Sequence, residues 1–202
     1  MTISAAALHV PIAAFYTVIA CWFIFLLSFV LRERIPRGRE WKRDHTALLG
    51  LALEGIGYYM VWCQPLQRKQ FAPLVAGSEA LVWVLSVLAV AVAVASVVFV
   101  DAACRRLGKQ WALAARLVED HSLIQDGPYR FVRNPIYLGM LGMLLATGLL
   151  RTQWIALLAA ILIFIAGTYI RIRSEERLLR EAFGSRFEEY TRKVPALIPG
   201  VY

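Results

Sequence analysis

Gly127-Pro128-Tyr129-Arg130-Phe131-Val132-Arg133-Asn134-Pro135-Ile136-Tyr137-Leu138-Gly139 is the stretch from which the fold can be read outward. Two glycines, two prolines, two tyrosines, two arginines and an asparagine fall within it, in a chain otherwise dominated by Leu, Ala, Val and Ile. Pro135 suits the first turn of a helix, where its missing N–H has no partner to lose. Asn134 just before it is a good N-cap residue, so the apolar run from Ile136 is expected to begin a helix here. A helix start also points backbone N–H groups and a partial positive charge at any anion in front of it, such as a ligand carboxylate.

Downstream, residues 136–150 and 154–170 are two apolar runs separated by Arg151-Thr152-Gln153. A single helix of that combined length would overshoot a bilayer, so a tight helical hairpin with Arg151 at its tip is expected. Upstream, residues 11–31, 47–63 and 81–100 form three further apolar segments, the second interrupted by Glu54 among Gly50, Gly55 and Gly57. Apolar residues make up 59% of the 202, against about 45–50% in soluble domains. The expected class is an all-α integral membrane protein with five transmembrane helices. Residues 1–101 hold three of them with a basic loop at 32–44. Residues 102–202 hold the cofactor loop at 121–137, the hairpin at 136–170 and an amphipathic C-terminal helix at 171–194, with a short interfacial helix at 112–118.

The formal charge of +8 lies between the apolar runs rather than on a soluble face, which argues against nucleic acid and for the positive-inside rule. Nineteen of the 22 Lys and Arg residues fall in 32–44, 102–134 and 171–202, with Arg68, Lys69 and Arg151 opposite. Those three segments are therefore expected to be cytoplasmic and the N-terminus outside, in a multi-pass protein of the bacterial inner membrane. No basic residue precedes the first apolar run, so that segment is expected to stay in the mature protein. Cys21, Cys63 and Cys104 show no metal-ligand spacing and are expected to be inert; no metal is expected.

Glu54 sits at a depth where ionisation is costly, so its carboxyl is expected to be hydrogen-bonded or protonated inside the bundle. Arg171 and Glu175 share a helical face, where they could form an i,i+4 pair. On this topology they meet the Tyr129–Tyr137 region at the cytoplasmic side, open to both cytosol and lipid.

The order His121-Ser-Leu-Ile-Gln-Asp-Gly127-Pro-Tyr129, Arg133-Asn134-Pro135-Ile-Tyr137-Leu-Gly139, then Glu175-Glu176-x-x-Leu179-x-x-x-Phe183-Gly184-x-x-Phe187-x-x-Tyr190, resembles the isoprenylcysteine carboxyl methyltransferase family and its phospholipid methyltransferase relatives. The resemblance covers about residues 107–199. It implies a membrane methyltransferase that uses S-adenosyl-L-methionine and a lipophilic or prenylated acceptor in contact with membrane lipids. It places cofactor contacts at His121, Ser122, Leu123, Ile124, Tyr129, Asn134, Pro135, Ile136, Tyr137 and Glu175, and the acceptor at Arg171. Glu176 or Glu54 becomes a candidate base if the acceptor is an amine or thiol. Most members carry His where this chain has Asn134, which can hydrogen-bond but cannot titrate, so no proton transfer belongs there. The sterol reductases, which use NADPH, share a similar Gly-x-Tyr stretch in longer chains; a non-catalytic membrane scaffold is the other rival.

Overall fold

The computed structural model describes residues 5–30, 40–43, 46–66, 79–108, 116–118 and 122–198. Within these, α1 (Ala5–Val30), α2 (Ala47–Trp62), α3 (Glu79–Leu107), α4 (Pro135–Arg151), α5 (Trp154–Phe183) and α6 (Ser185–Lys193) carry the architecture, and β1 (Glu40–Arg43) pairs antiparallel with β2 (Arg116–Val118). The helices α1, α3 and α5 are long and apolar enough to cross a membrane; α2 and α4 are shorter apolar helices. This is a helical membrane protein.

Each apolar helix buries one stripe and turns other apolar residues outward. On α1 the stripe is Ala14, Val18, Cys21, Phe25 and Ser28, whereas Phe23, Ile24 and Leu27 are exposed. Spacings of three and four residues recur because that is how side chains align on a helix face. In α2 the stripe is Ala47, Gly50, Glu54, Gly57 and Val61, and in α5 it includes Leu157, Ala160, Phe164, Gly167, Arg171, Ser174 and Leu178. These two seams face each other, and α5 packs most extensively on α2, while α4 packs on α3 and α3 on α1.

Small residues set the closeness of both seams. A Cβ at Gly50 would lie 2.6 Å from the Gly167 carbonyl oxygen, and a Cβ at Gly167 equally 2.6 Å from that of Gly50. A Cβ at Gly142 would lie 2.1 Å from Ser96 Oγ, and one at Gly139 2.2 Å from Val100 Cγ2. Glycine and alanine at such crossings let helix backbones approach, which is how apolar helices gain packing where no water is expelled.

The hairpin, its tip and the five apolar helices stand as the sequence indicates, and four other expectations are corrected. α3 does not stop at Val100: it runs on to Leu107, because Asp101 accepts hydrogen bonds from Arg105 Nε at 2.7 Å within the helix and from Ser28 Oγ at 3.4 Å on α1. Arg116–Val118 is a strand rather than part of an interfacial helix, its backbone satisfied by Glu40–Arg43 across a bulged register; the rest of 112–118 lies outside the described residues. Residues 171–183 continue α5 instead of forming a separate helix, and the break comes at Gly184, whose φ of +49° lets the chain turn into α6. Asn134 occupies the N-cap position of α4 but its side chain makes no cap hydrogen bond; Nδ2 donates instead to the Ala196 carbonyl at 2.9 Å.

Candidate functional site

Four elements converge where α4 begins and α5 leaves its apolar stretch. Arg171, 4% exposed, donates through Nη1 to Glu54 Oε2 at 2.8 Å, and Thr168 Oγ1 donates to Glu54 Oε1 at 3.0 Å. Glu54 is thus hydrogen-bonded inside the bundle, and the cation at Arg171 is matched across the α2–α5 seam rather than by Glu175 along the helix. Arg171 also stacks on Tyr137, its guanidinium carbon 5.0 Å from the ring centroid. The Tyr137 hydroxyl in turn donates to Glu175 Oε1. Glu54, Arg171, Tyr137 and Glu175 therefore form one connected polar unit.

Glu175 differs from its neighbour in charge balance. Arg133 Nε donates to Glu176 Oε1 at 2.8 Å, so Glu176 is ion-paired, whereas Glu175 makes no ion pair among the described residues. Ser174 Oγ, between them and Arg171, is buried without a hydrogen-bond partner. Glu175 is bound by a neutral donor with the Arg171 charge acting on it from outside hydrogen-bond range, and a buried hydroxyl without a partner is a group that a polar ligand would satisfy.

The start of α4 and the turn before it are clamped by residues 190–196. Arg133 N donates to the Pro195 carbonyl at 2.9 Å, Asn134 N to Ala196 at 3.1 Å, and Arg133 Nη1 to the carbonyls of Val194 and, at 3.2 Å, Thr191. Tyr190 Oη donates to the Tyr129 carbonyl at 2.6 Å. Phe187, Tyr190 and Val194 bury themselves against Leu123, Leu179 and Phe183, which is why the helical spacing of 187, 190 and 194 matters. Burial pushes the Tyr129 phenol well above its ordinary value, assisted by Cys104, Glu175 and Tyr190 nearby, and burial also raises that of Tyr190. Both phenols stay neutral and act as hydrogen-bonding groups, not bases.

An open cavity of about 510 Å³ is lined by Arg106, Ser122, Leu123, Ile124, Gln125, Asp126 and Arg186. Small-molecule sites occupy roughly 300–1,000 Å³. The structure thus brings Ser122, Leu123 and Ile124 to a cavity and Tyr137, Arg171 and Glu175 into one network. Tyr129 is buried and held by Tyr190, while Asn134 precedes α4 and Pro135 and Ile136 open it, Ile136 packing into the α1–α3 core. His121 lies outside the described residues. Sequence reasoning missed the Glu54–Arg171 pairing, the Arg133–Glu176 brace and the cavity cations Arg106 and Arg186. Only the first had a signal: a carboxyl and a guanidinium, each placed inside or at the end of an apolar run, call for partners.

These features define a helical membrane protein with a polar cluster at the base of its last two apolar helices. Residues 84–186, half of the chain, match the family model described as phospholipid methyltransferase, and the chain belongs to that family. It is 36% identical over 87 residues to the protein-S-isoprenylcysteine O-methyltransferase of Schizosaccharomyces pombe, covering 43% of this chain and 37% of that one. It is 31% identical over 86 residues to protein-S-isoprenylcysteine O-methyltransferase B of Arabidopsis thaliana, covering 43% and 44%. Similarity also extends to the cobalt-zinc-cadmium resistance protein CzcN of Cupriavidus metallidurans, 36% over 98 residues, covering 46% and 43%. The matched stretch spans less than half the length of each of these relatives.

Proposed function

We propose that the protein is an S-adenosylmethionine-dependent methyltransferase working in the membrane on a lipophilic acceptor, such as an isoprenylcysteine carboxylate or a lipid. The observation that carries this reading is Glu175, a carboxyl group where α4 begins and α5 leaves its apolar stretch, bound by the Tyr137 hydroxyl and in no direct ion pair among the described residues. When bound, S-adenosylmethionine supplies a methyl group on a cationic sulfur, and Glu175 and the unsatisfied Ser174 hydroxyl fit a cationic, hydrogen-bonding ligand. In this reading Ser122, Leu123 and Ile124 line the cofactor cavity with His121 adjacent in sequence. Tyr129, Asn134, Pro135, Ile136 and Tyr137 shape its wall, and Glu175 balances the positive charge.

Arg171 orients the acceptor. Its guanidinium already holds Glu54, and a charge-assisted contact to an acceptor carboxylate would use the remaining donors of its fork. A carboxylate acceptor is itself a nucleophile and needs no base. An amine or thiol needs one, and Glu176 and Glu54 are the candidate carboxyls, ion-paired to Arg133 and to Arg171 respectively. Alignment and exclusion of water are the main contributions asked of the protein. All five apolar helices span in this reading, with the N-terminus outside and the site facing the cytoplasm; the shorter α2 and α4 fit a locally thinned bilayer.

The sibling reading, an NADPH-dependent reductase, asks for a site that accepts a polyanion. Equilibrium binding of radiolabelled S-adenosylmethionine and of NADPH to the purified protein separates the two: saturable binding of the first and not the second is expected. Binding of NADPH alone, or of neither, would overturn the proposal. Incubating lipid extracts and prenylcysteine analogues with the labelled donor then identifies the acceptor.

A further inference from the structure

The cavity lined by residues 122–126 carries a charge that the loop itself does not supply. Three charged side chains reach it: Arg106 from the end of α3, Asp126 from the loop and Arg186 from α6. Arg106 and Asp126 pair with each other, so together they contribute no net charge. At the end of α5 and on α6, Arg180 Nε donates to Glu188 Oε1 at 2.5 Å and Lys193 Nζ to Glu189 Oε1 at 2.5 Å. Arg186 has no ion-pair or hydrogen-bond partner among the described residues.

Its position is nevertheless fixed. Phe187, next in sequence, is 1% exposed and packs with Tyr190 and Val194, and Leu123 of the cavity wall packs on the same cluster. The rotation of α6 about its axis is therefore set by buried aromatic residues, which leaves the exposed Arg186 lining the cavity together with Leu123. An unmatched guanidinium lining a cavity of small-molecule size is a receptor for an anion, and its planar fork suits a carboxylate or a phosphate.

Resting on the methyltransferase reading, we infer that Arg186 binds the carboxylate at the amino-acid end of the methyl donor. It acts as an affinity-determining contact remote from the transferring methyl group. The Arg106–Asp126 pair lines the same cavity, which leaves Arg186 as its unpaired cation among the described residues.

Competition against radiolabelled S-adenosylmethionine on the full-length protein in detergent tests this, with unlabelled S-adenosylmethionine and its decarboxylated analogue as competitors. The wild type should prefer the carboxylate-bearing compound by roughly tenfold, the order expected of a charge-assisted contact discounted for partial solvent screening. In Arg186→Gln that preference should collapse toward unity, because affinity for the carboxylate form falls while affinity for the decarboxylated analogue holds; Arg186→Lys should keep part of it. An unchanged preference in Arg186→Gln, equal losses for both compounds, or a wild type that prefers neither would overturn the assignment. A wild type that binds no S-adenosylmethionine at all would overturn the methyltransferase reading itself.

Discussion

Arg171 shows how much a single buried cation demands of its surroundings. Removing one partner of a buried ion pair typically costs about 3–5 kcal/mol because the other charge is left without compensation, while removing both is much milder. With side chains 5% and 1% exposed, Arg171 and Glu54 should follow this rule. Glu54→Gln and Arg171→Gln should each lower the thermal unfolding midpoint in detergent clearly, and the double variant should lie well above the sum of the two losses. Additive effects would show that the two do not hold each other. The sequence revealed that Glu54 needed a partner and that Arg171 and Glu175 shared a face. It could not reveal the pairing across 117 positions, since the i,i+4 neighbour offered the same charge at shorter range. For Asn134 the local signal for a cap was sound, but the chain end at Ala196 took the amide instead.

At the scale of elements, the glycines discriminate between seam and outer face. Gly167 lies against the α2 backbone, with a would-be Cβ 2.6 Å from the Gly50 oxygen and 3.0 Å from Glu54 N, whereas a Cβ at Gly55 would meet nothing within 4 Å. Gly167→Ala should therefore force α2 and α5 apart and destabilise by about 1–3 kcal/mol, displacing the Glu54–Arg171 contact with it. Gly55→Ala should be neutral or stabilising by up to about 1 kcal/mol through helix propensity. Thermal midpoints of the two variants decide it, and equal effects would contradict the seam. Apolar runs and the Pro135 start made the helices legible because those signals are local. The extension of α3 past Asp101 was hidden by a charge that reads as an ending until Arg105 and Ser28 are seen to satisfy it. The β1–β2 ribbon was hidden because its strands come from opposite ends of α2 and α3 and carry too few residues for a pattern.

The whole molecule holds its site by tying the end of the described chain back to the middle. Thr191, Val194, Pro195 and Ala196 lend carbonyls to Arg133 and Asn134, and Tyr190 holds Tyr129. Truncation after Lys193 should thus leave the apolar helices assembled, with helical content by circular dichroism nearly unchanged, yet weaken cofactor binding at least tenfold. Unaltered binding would show that this latch does not shape the site. The central claim is that the region where α4 begins and α5 leaves its apolar stretch is a cofactor site balanced by Glu175. Equilibrium binding of radiolabelled S-adenosylmethionine to the wild type and to Glu175→Ala tests it most directly. The account predicts saturable binding by the wild type and its loss in the variant at unchanged thermal midpoint; equal affinity of the two proteins would contradict it.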